Sequence, residues 1–353
     1  MKKDDSVRYF SSGFPPPTQR LMLKRSGAVL ALAVFLLVAT ASAQQQDPVV
    51  TAKAAVVQPE PAEIAPLAAR SMLLRIVNTG KRLIGVGERG NIVISSDGEQ
   101  WTQVASPVRS MLTSVSFSDP DHGWAVGHDA AILHTDDGGR SWRLQHFDAE
   151  AQKPLMDVLF TDSSRGYAVG SFGSFLATKD GGTTWSELDA PAIRADGLHL
   201  NAILKLNDGQ LFLAGEAGLL GSSADGITWA RLKPPYEGSY FGALPWGAKG
   251  VLVFGLRGNV YTTDDVHSGA WSKIELGTTQ SIFGGVPLAQ GGAALVGADG
   301  LAIFIGADGH VDSKRFARIS GEPGGGTLAG VIEWHGVLLA MGEFGVERRR
   351  FAN

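Results

Sequence analysis

Apolar and polar residues in this chain alternate in short bursts, without the sustained 3.6-residue rhythm of a long amphipathic helix. Leu112–Asp119 (LTSVSFSD) alternates residue by residue and is followed by the turn PDHG. Next come WAVG, a glycine-led turn, AILHTD, the turn DGGRS and WRLQHF. Period-two runs separated by Gly- and Asp-rich turns predict four antiparallel strands, A to D, joined by hairpins.

The same unit recurs along the chain. SSDGEQW ends at Trp101, TDDGGRSW at Trp142, TKDGGTTW at Trp185, SADGITW at Trp229 and TDDVHSGAW at Trp271, at intervals of 41, 43, 44 and 42 residues. A second feature runs in phase with the first. Gly-x-x-Gly turns begin at Gly87, Gly170, Gly215, Gly255, Gly297 and Gly342, with the variant GHDA at Gly127. Seven starts spaced 40 to 45 residues apart, each built of short strands, predict an all-β fold. The specific expectation is a seven-bladed β-propeller with four-stranded blades over residues 71–353. The last unit runs out after its third strand, VERRRFAN, so a closing outer strand is expected from elsewhere. PVVTAKAAVV, Pro48–Val57, is the candidate.

The turn between strands C and D reads as construction. Asp97, Asp137, Asp180 and Asp225 are placed to accept backbone N–H groups, and the following glycines allow positive φ. Trp101, Trp142, Trp185, Trp229 and Trp271 then open strand D and pack between blades. A catalytic constellation is needed once, whereas this arrangement occurs in at least five units. In the sixth unit, GADGHVDSKRF, Phe316 is read as standing in place of the tryptophan.

These turns resemble the Asp-box, or bacterial neuraminidase repeat. The longer units SVSFSDPDHGWAVGHDAAILHTDDGGRSW and DVLFTDSSRGYAVGSFGSFLATKDGGTTW resemble the repeat of the photosystem II stability/assembly-factor-like family. The resemblance runs from about Ser71 to Asn353. It implies an exported, non-enzymatic scaffold without a cofactor that assists assembly or stability of a membrane protein complex. Members also occur in non-photosynthetic bacteria, so a photosystem is not implied. The arginine-rich binding patch of the photosynthetic members does not map onto one contiguous motif here.

Residues 1–43 carry a different signature. Lys24 and Arg25 precede the apolar run Ala28–Ala41, and ASA at 41–43 supplies the small residues of a cleavage site. This is a secretory signal with cleavage expected after Ala43. The run is short for a permanent anchor, which needs roughly 20 apolar residues. The chain has no cysteine, which excludes disulfides, thiolate metal sites and a lipid-anchored N-terminus. Residues 44–70, rich in Pro and Ala, read as a linker. Removing 1–43 takes six of 31 basic and two of 35 acidic residues, leaving 25 against 33 and a net charge of −8. That balance argues against nucleic acid as a partner.

A carbohydrate-active propeller, either a glycan binder or a diverged sialidase-like hydrolase, is the alternative. A sialidase requires an arginine cluster and a tyrosine–glutamate pair. Here the nearest string to the sialidase Arg-Ile-Pro motif, LLRIVNTG, has Val77 where proline belongs, and Tyr167 and Tyr261 fall in strand patterns. His122 and His128 lie in separate turns, so no metal site is expected.

Function is therefore sought on the face shared by the B–C and D–A loops, where a protein partner is expected: a membrane complex or transporter rather than a small-molecule substrate. Inside the Gly-x-x-Gly turns, the glycines persist while Glu88, Arg89, His128, Asp129, Phe172, Glu216, Arg257, Asp299, Glu343 and Phe344 differ in charge and shape. The long D–A connections Phe147–Leu155, Asp189–Leu198 and Lys233–Phe241 belong to the same face. The last of these contributes Tyr236 and Tyr240 as candidate anchors. Arg348–Arg350 read as an edge-strand solubility device.

Overall fold

The structure, a computed structural model, describes residues 57–312, 316–318 and 326–351. They form seven four-stranded antiparallel sheets. Blade 2 shows the pattern, with strands A to D at Leu112–Phe117, Gly123–Gly127, Ile132–Thr135 and Arg143–His146. Blades 1 to 6 span 73–104, 112–146, 155–187, 200–232, 240–274 and 282–312, each in chain order from A to D. The A strands contact one another from blade to blade around the ring, so they form its inner wall.

Blade 7 closes the ring differently from the expectation. Its A, B and C strands are Leu328–Trp334, Val337–Gly342 and Gly345–Phe351, and its outer strand is Phe316–Arg318, paired antiparallel to strand C. The outer position assigned to Pro48–Val57 is thus occupied from within the C-terminal unit; residues 48–56 lie outside the described residues. Phe316 is accordingly part of blade 7 and does not replace the sixth tryptophan. Arg348–Arg350 lie in strand C, as read from the sequence.

Chain segment 58–70 contributes to closure through loops. The Ala62 N–H donates to the Ser106 carbonyl, Gln103 bonds both Glu63 and Ala65, and Glu60 pairs with Arg109 at 2.7 Å. The short 3₁₀ turn Ala68–Arg70 then packs against strand C of blade 7.

The core consists of seven wedges, one at each blade boundary. Strand B is buried from end to end in every blade but the seventh, where Val337 is half-buried, because strands A and C flank it and neighbouring blades cover both faces. This accounts for apolar runs such as LFLAG. Trp142 lies in the wedge between blades 1 and 2, and Trp229 in that between blades 3 and 4. Trp101, Trp185 and Trp271 pack into the wedges between blades 7 and 1, 2 and 3, and 4 and 5. Each tryptophan joins its own blade to the preceding one.

Aspartates hold the C–D turns. Asp137 accepts the N–H groups of Arg140 and Ser141 and the hydroxyls of Thr135 and Ser141. Burial raises the pKa of this carboxyl, but those hydrogen bonds outweigh it and bring the value to about 2. Asp180 is also lowered to about 2, chiefly by the Thr184 hydroxyl and N–H, and Asp225 to about 2 by the N–H groups of Thr228 and Ile227. Asp97 is lowered by the N–H groups of Gln100 and Glu99.

Candidate partner-binding face

Seven equivalent hydrogen bonds build this face. The N–H of the first residue in each B–C turn donates to the carbonyl just before strand A: Glu88 to Met72, His128 to Met111, Ser171 to Pro154, Glu216 to His199, Leu256 to Ser239, Ala298 to Ser281 and Glu343 to Thr327. B–C turns and D–A loops therefore share one side, as the repeat implied. The glycine closing the turn is required by contact with the next loop. A Cβ on Gly90 would lie 1.9 Å from the Val108 carbonyl oxygen.

The middle residue of six turns takes a left-handed backbone without being glycine. Arg89, Asp129, Phe172, Ala217, Arg257 and Asp299 have φ between 49° and 58°. Such a conformation costs a bulky residue of order 1 kcal/mol. Blade 7 instead uses the two-residue hairpin Glu343–Phe344, closed by Gly345. Phe172 and Phe344 are 59% and 57% exposed, making them two of the few large apolar side chains in open solvent. Phe172 meets the His199 ring edge-on at 5.1 Å. Among the described residues, the guanidinium groups of Arg89 and Arg257 make no hydrogen bond or ion pair.

Several candidates are engaged within the fold. The Glu88, Glu216 and Glu343 carboxylates accept the N–H groups of Met72, His199 and Thr327, fastening the turn to its own strand A. Asp129 accepts the Ser110 hydroxyl, and Asp299 accepts from the Gln280 amide. Tyr240 is fully buried in strand A of blade 5, so it is not an anchor on the face. Its hydroxyl donates to the Tyr236 carbonyl, and burial pushes its pKa up. Tyr236 is half-buried, stacked on Tyr261 at 6.4 Å and edge-on to Tyr240 at 6.2 Å. His128 is exposed, whereas His122 belongs to an A–B turn and pairs with Asp119 at 2.9 Å.

Two features of this side were not visible in the sequence. A cavity of about 710 Å³ lies between segment 60–71 and blade 1, lined by Glu60, Leu67, Ser71, Glu88, Arg89 and Arg109. Ile64 and Leu67 on that segment are each 64% exposed. In addition, the second residue of every strand A is bulged out of register: Leu74, Thr113, Met156, Asn201, Phe241, Phe283 and Ala329. Thr113 and Asn201 use the bulge to donate to the next blade, at Leu155 and Tyr240.

A family model described as "Photosynthesis system II assembly factor YCF48" matches residues 93–155 and 143–282, together more than half of the chain. This chain belongs to that family. Among curated relatives, the chloroplastic photosystem II stability/assembly factor HCF136 of Cyanidioschyzon merolae is 43% identical over 61 residues, 16% of this chain and 14% of the relative. HCF136 of Guillardia theta is 50% identical over 44 residues, 12% and 11% of the two chains. The matches thus span about a seventh or less of these relatives' length. A photosystem II assembly lipoprotein Ycf48 of Synechococcus sp. (strain CC9902) is 33% identical over 69 residues, 19% and 21% of the two chains.

A solved structure of YCF48 bound to D1 peptide superposes with a TM-score of 0.64 at 16% identity, covering 84% of this chain and 98% of that one. Virginiamycin B lyase from Staphylococcus aureus gives 0.68 at 9% identity, covering 84% and 99%. At such identities the likeness shows the fold, and this fold also serves an enzyme. Among the described residues, no helix is long and apolar enough to cross a membrane.

Proposed function

We propose that this protein is an exported, non-enzymatic propeller that binds a polypeptide of a membrane protein complex and assists its assembly or stability. The observation carrying this reading is the Ycf48-family match, which covers the repeats across residues 93–282. A relative of the same fold was solved with a peptide of another protein. The working face is the one bearing the B–C turns, where Arg89, Phe172, Arg257 and Phe344 are exposed on a backbone held by repeated hydrogen bonds. Export rests on the signal-like segment 1–43, with cleavage after Ala43.

In-cell photo-crosslinking tests the reading. Crosslinker is placed at Arg89, Arg257 and Phe172, with Lys179 beside the Asp180 turn as the control, and adducts are identified in membrane and soluble fractions. One membrane protein captured from the first three sites and absent from the control is the expected result. Adducts from neither face, or turnover of a glycoside that is lost on mutating one acidic residue, would overturn it.

A further inference from the structure

The wedge between blades 5 and 6 lacks the part that closes five others. In blades 1 to 5 the residue immediately before strand D is tryptophan, and its ring fills the wedge with the preceding blade. In blade 6 the ladder register puts Val311 at that position, because it pairs with Ile305, the last residue of strand C, as Trp142 falls opposite Thr135. This smaller side chain packs against the wedge, while His310 before it is exposed in the turn. The turn retains its aspartate, since Asp308 accepts the His310 N–H at 3.0 Å as Asp225 accepts that of Ile227. The indole is what is missing.

Valine fills less of the wedge than an indole does. A groove of about 750 Å³ occupies this boundary, lined by Trp246, Thr262 and Ile274 of blade 5 and by 307–311 of blade 6. Thr262 and Ile274 hold the strand positions that Ile94 and Val104 hold in blade 1, where both pack in the wedge that contains Trp142. Trp246, from the end of strand A in blade 5, leans into the same wedge without filling it. The rim is acidic. Asp264 and Asp308 have no cationic partner among the described residues, while Glu275 is paired with Lys273 at 2.9 Å.

We infer that this groove is a second binding site, which accepts an aromatic side chain of a partner polypeptide flanked by basic residues. The occupant is the one the fold supplies to five equivalent wedges, and the acidic rim selects its neighbours. The site does not depend on the B–C face or on the identity of any membrane client.

The test uses the purified protein and short peptides carrying 5-fluorotryptophan, followed by ¹⁹F NMR. Acetyl-Lys-Trp-Lys-amide is expected to bind with a dissociation constant on the order of 1 mM, as one buried side chain supports. Acetyl-Glu-Trp-Glu-amide should bind at least about tenfold more weakly. Val311→Trp, which supplies the indole in cis, should weaken peptide binding at least about tenfold while the melting temperature holds or rises. Thr262→Trp fills the groove from the opposite wall and guards against a misplaced ring in the first variant. No binding by the wild type at ten times that concentration overturns the inference, as does binding unchanged in both filled variants. Stronger binding of a methyl glycoside than of the lysine peptide would reassign the groove to a sugar. None of these outcomes touches the crosslinking result.

Discussion

Blade boundaries 1–2 and 5–6 are built from the same strands in the same order, yet one is sealed and the other is not. At the first, Trp142 is 9% exposed, donates its indole N–H to the Gly139 carbonyl and meets Phe117 edge-on at 6.2 Å. At the second, Val311 occupies the equivalent position and a groove remains. Where the C–D turn carries a tryptophan, it locks blade to blade. Where it does not, the same turn leaves surface available for another use. Repetition in this protein therefore marks structure, and departures from it mark candidate sites.

The sharpest way to break the comparison is Trp142→Ala. It should cost about 3 to 5 kcal/mol, read as a fall in the denaturation midpoint, because a buried ring leaves a cavity that rigid neighbours cannot fill. Val311→Ala, at the equivalent but half-buried position, should cost about 1 kcal/mol or less. Equal losses at the two positions would show that the wedges are not as different as their packing implies.

A second contrast lies along the inner wall. Asp157 of blade 3 is buried and accepts the Ser114 hydroxyl of blade 2 at 2.6 Å and the Ile203 N–H of blade 4 at 2.9 Å, so one carboxylate ties three A strands. Arg75 holds the same strand position in blade 1, where it is exposed toward a cavity of about 290 Å³. Asp157→Ala is expected to destabilise by about 2 to 3 kcal/mol, since it leaves a buried N–H unpaired. Arg75→Ala should cost little, and chemical denaturation of the pair measures the difference.

Blade 2 also holds a pH-sensitive position. His134 is buried against Trp124 at 4.6 Å, and burial, aided by Arg143, lowers its pKa to about 4. A folded-state value below the unfolded one near 6.5 means that the unfolded chain takes up the proton first. Stability is then full above pH 6.5 and declines as pH falls toward 4. His134→Phe should make the fall in thermal stability between pH 6.5 and 4 shallower, the remainder coming in part from His146, which burial also lowers, and an unchanged pH slope would remove His134 as a cause. The C–D aspartates act lower on the scale. With folded values near 2, their contribution is present above about pH 4 and is lost as pH falls through 2.

The smallest expected effect separates stability from function. Arg89→Gly relieves a left-handed backbone and should leave the melting temperature unchanged or slightly higher, by up to about 1 kcal/mol. Capture of the partner from crosslinker at Phe172 should nevertheless fall. A variant with intact capture would remove Arg89 from the working face.

The blade count, the C–D turns and the side on which the B–C turns lie were legible in the residues, because strand period, turn chemistry and repeat length are local properties. The exposed residues Arg89, Phe172, Arg257 and Phe344 were legible for the same reason, as variation between fixed glycines. The withdrawal of Glu88, Glu216 and Glu343 into backbone hydrogen bonds was not. Neither was the burial of Tyr240, which a string of aromatics in a long loop does not reveal.

By itself, the sequence determined that seven similar units would each bury two faces, since every unit carries the same alternation and the same turns. It could not determine how the ring closes. Pairing of Phe316–Arg318 with the last strand is decided by which edge is nearest once the seven blades are assembled. Nor could it show that Val311 stands at a seat it only partly fills. That position acquires meaning only from the neighbouring blade, because a wedge belongs to two units distant in sequence and is defined by the space between them.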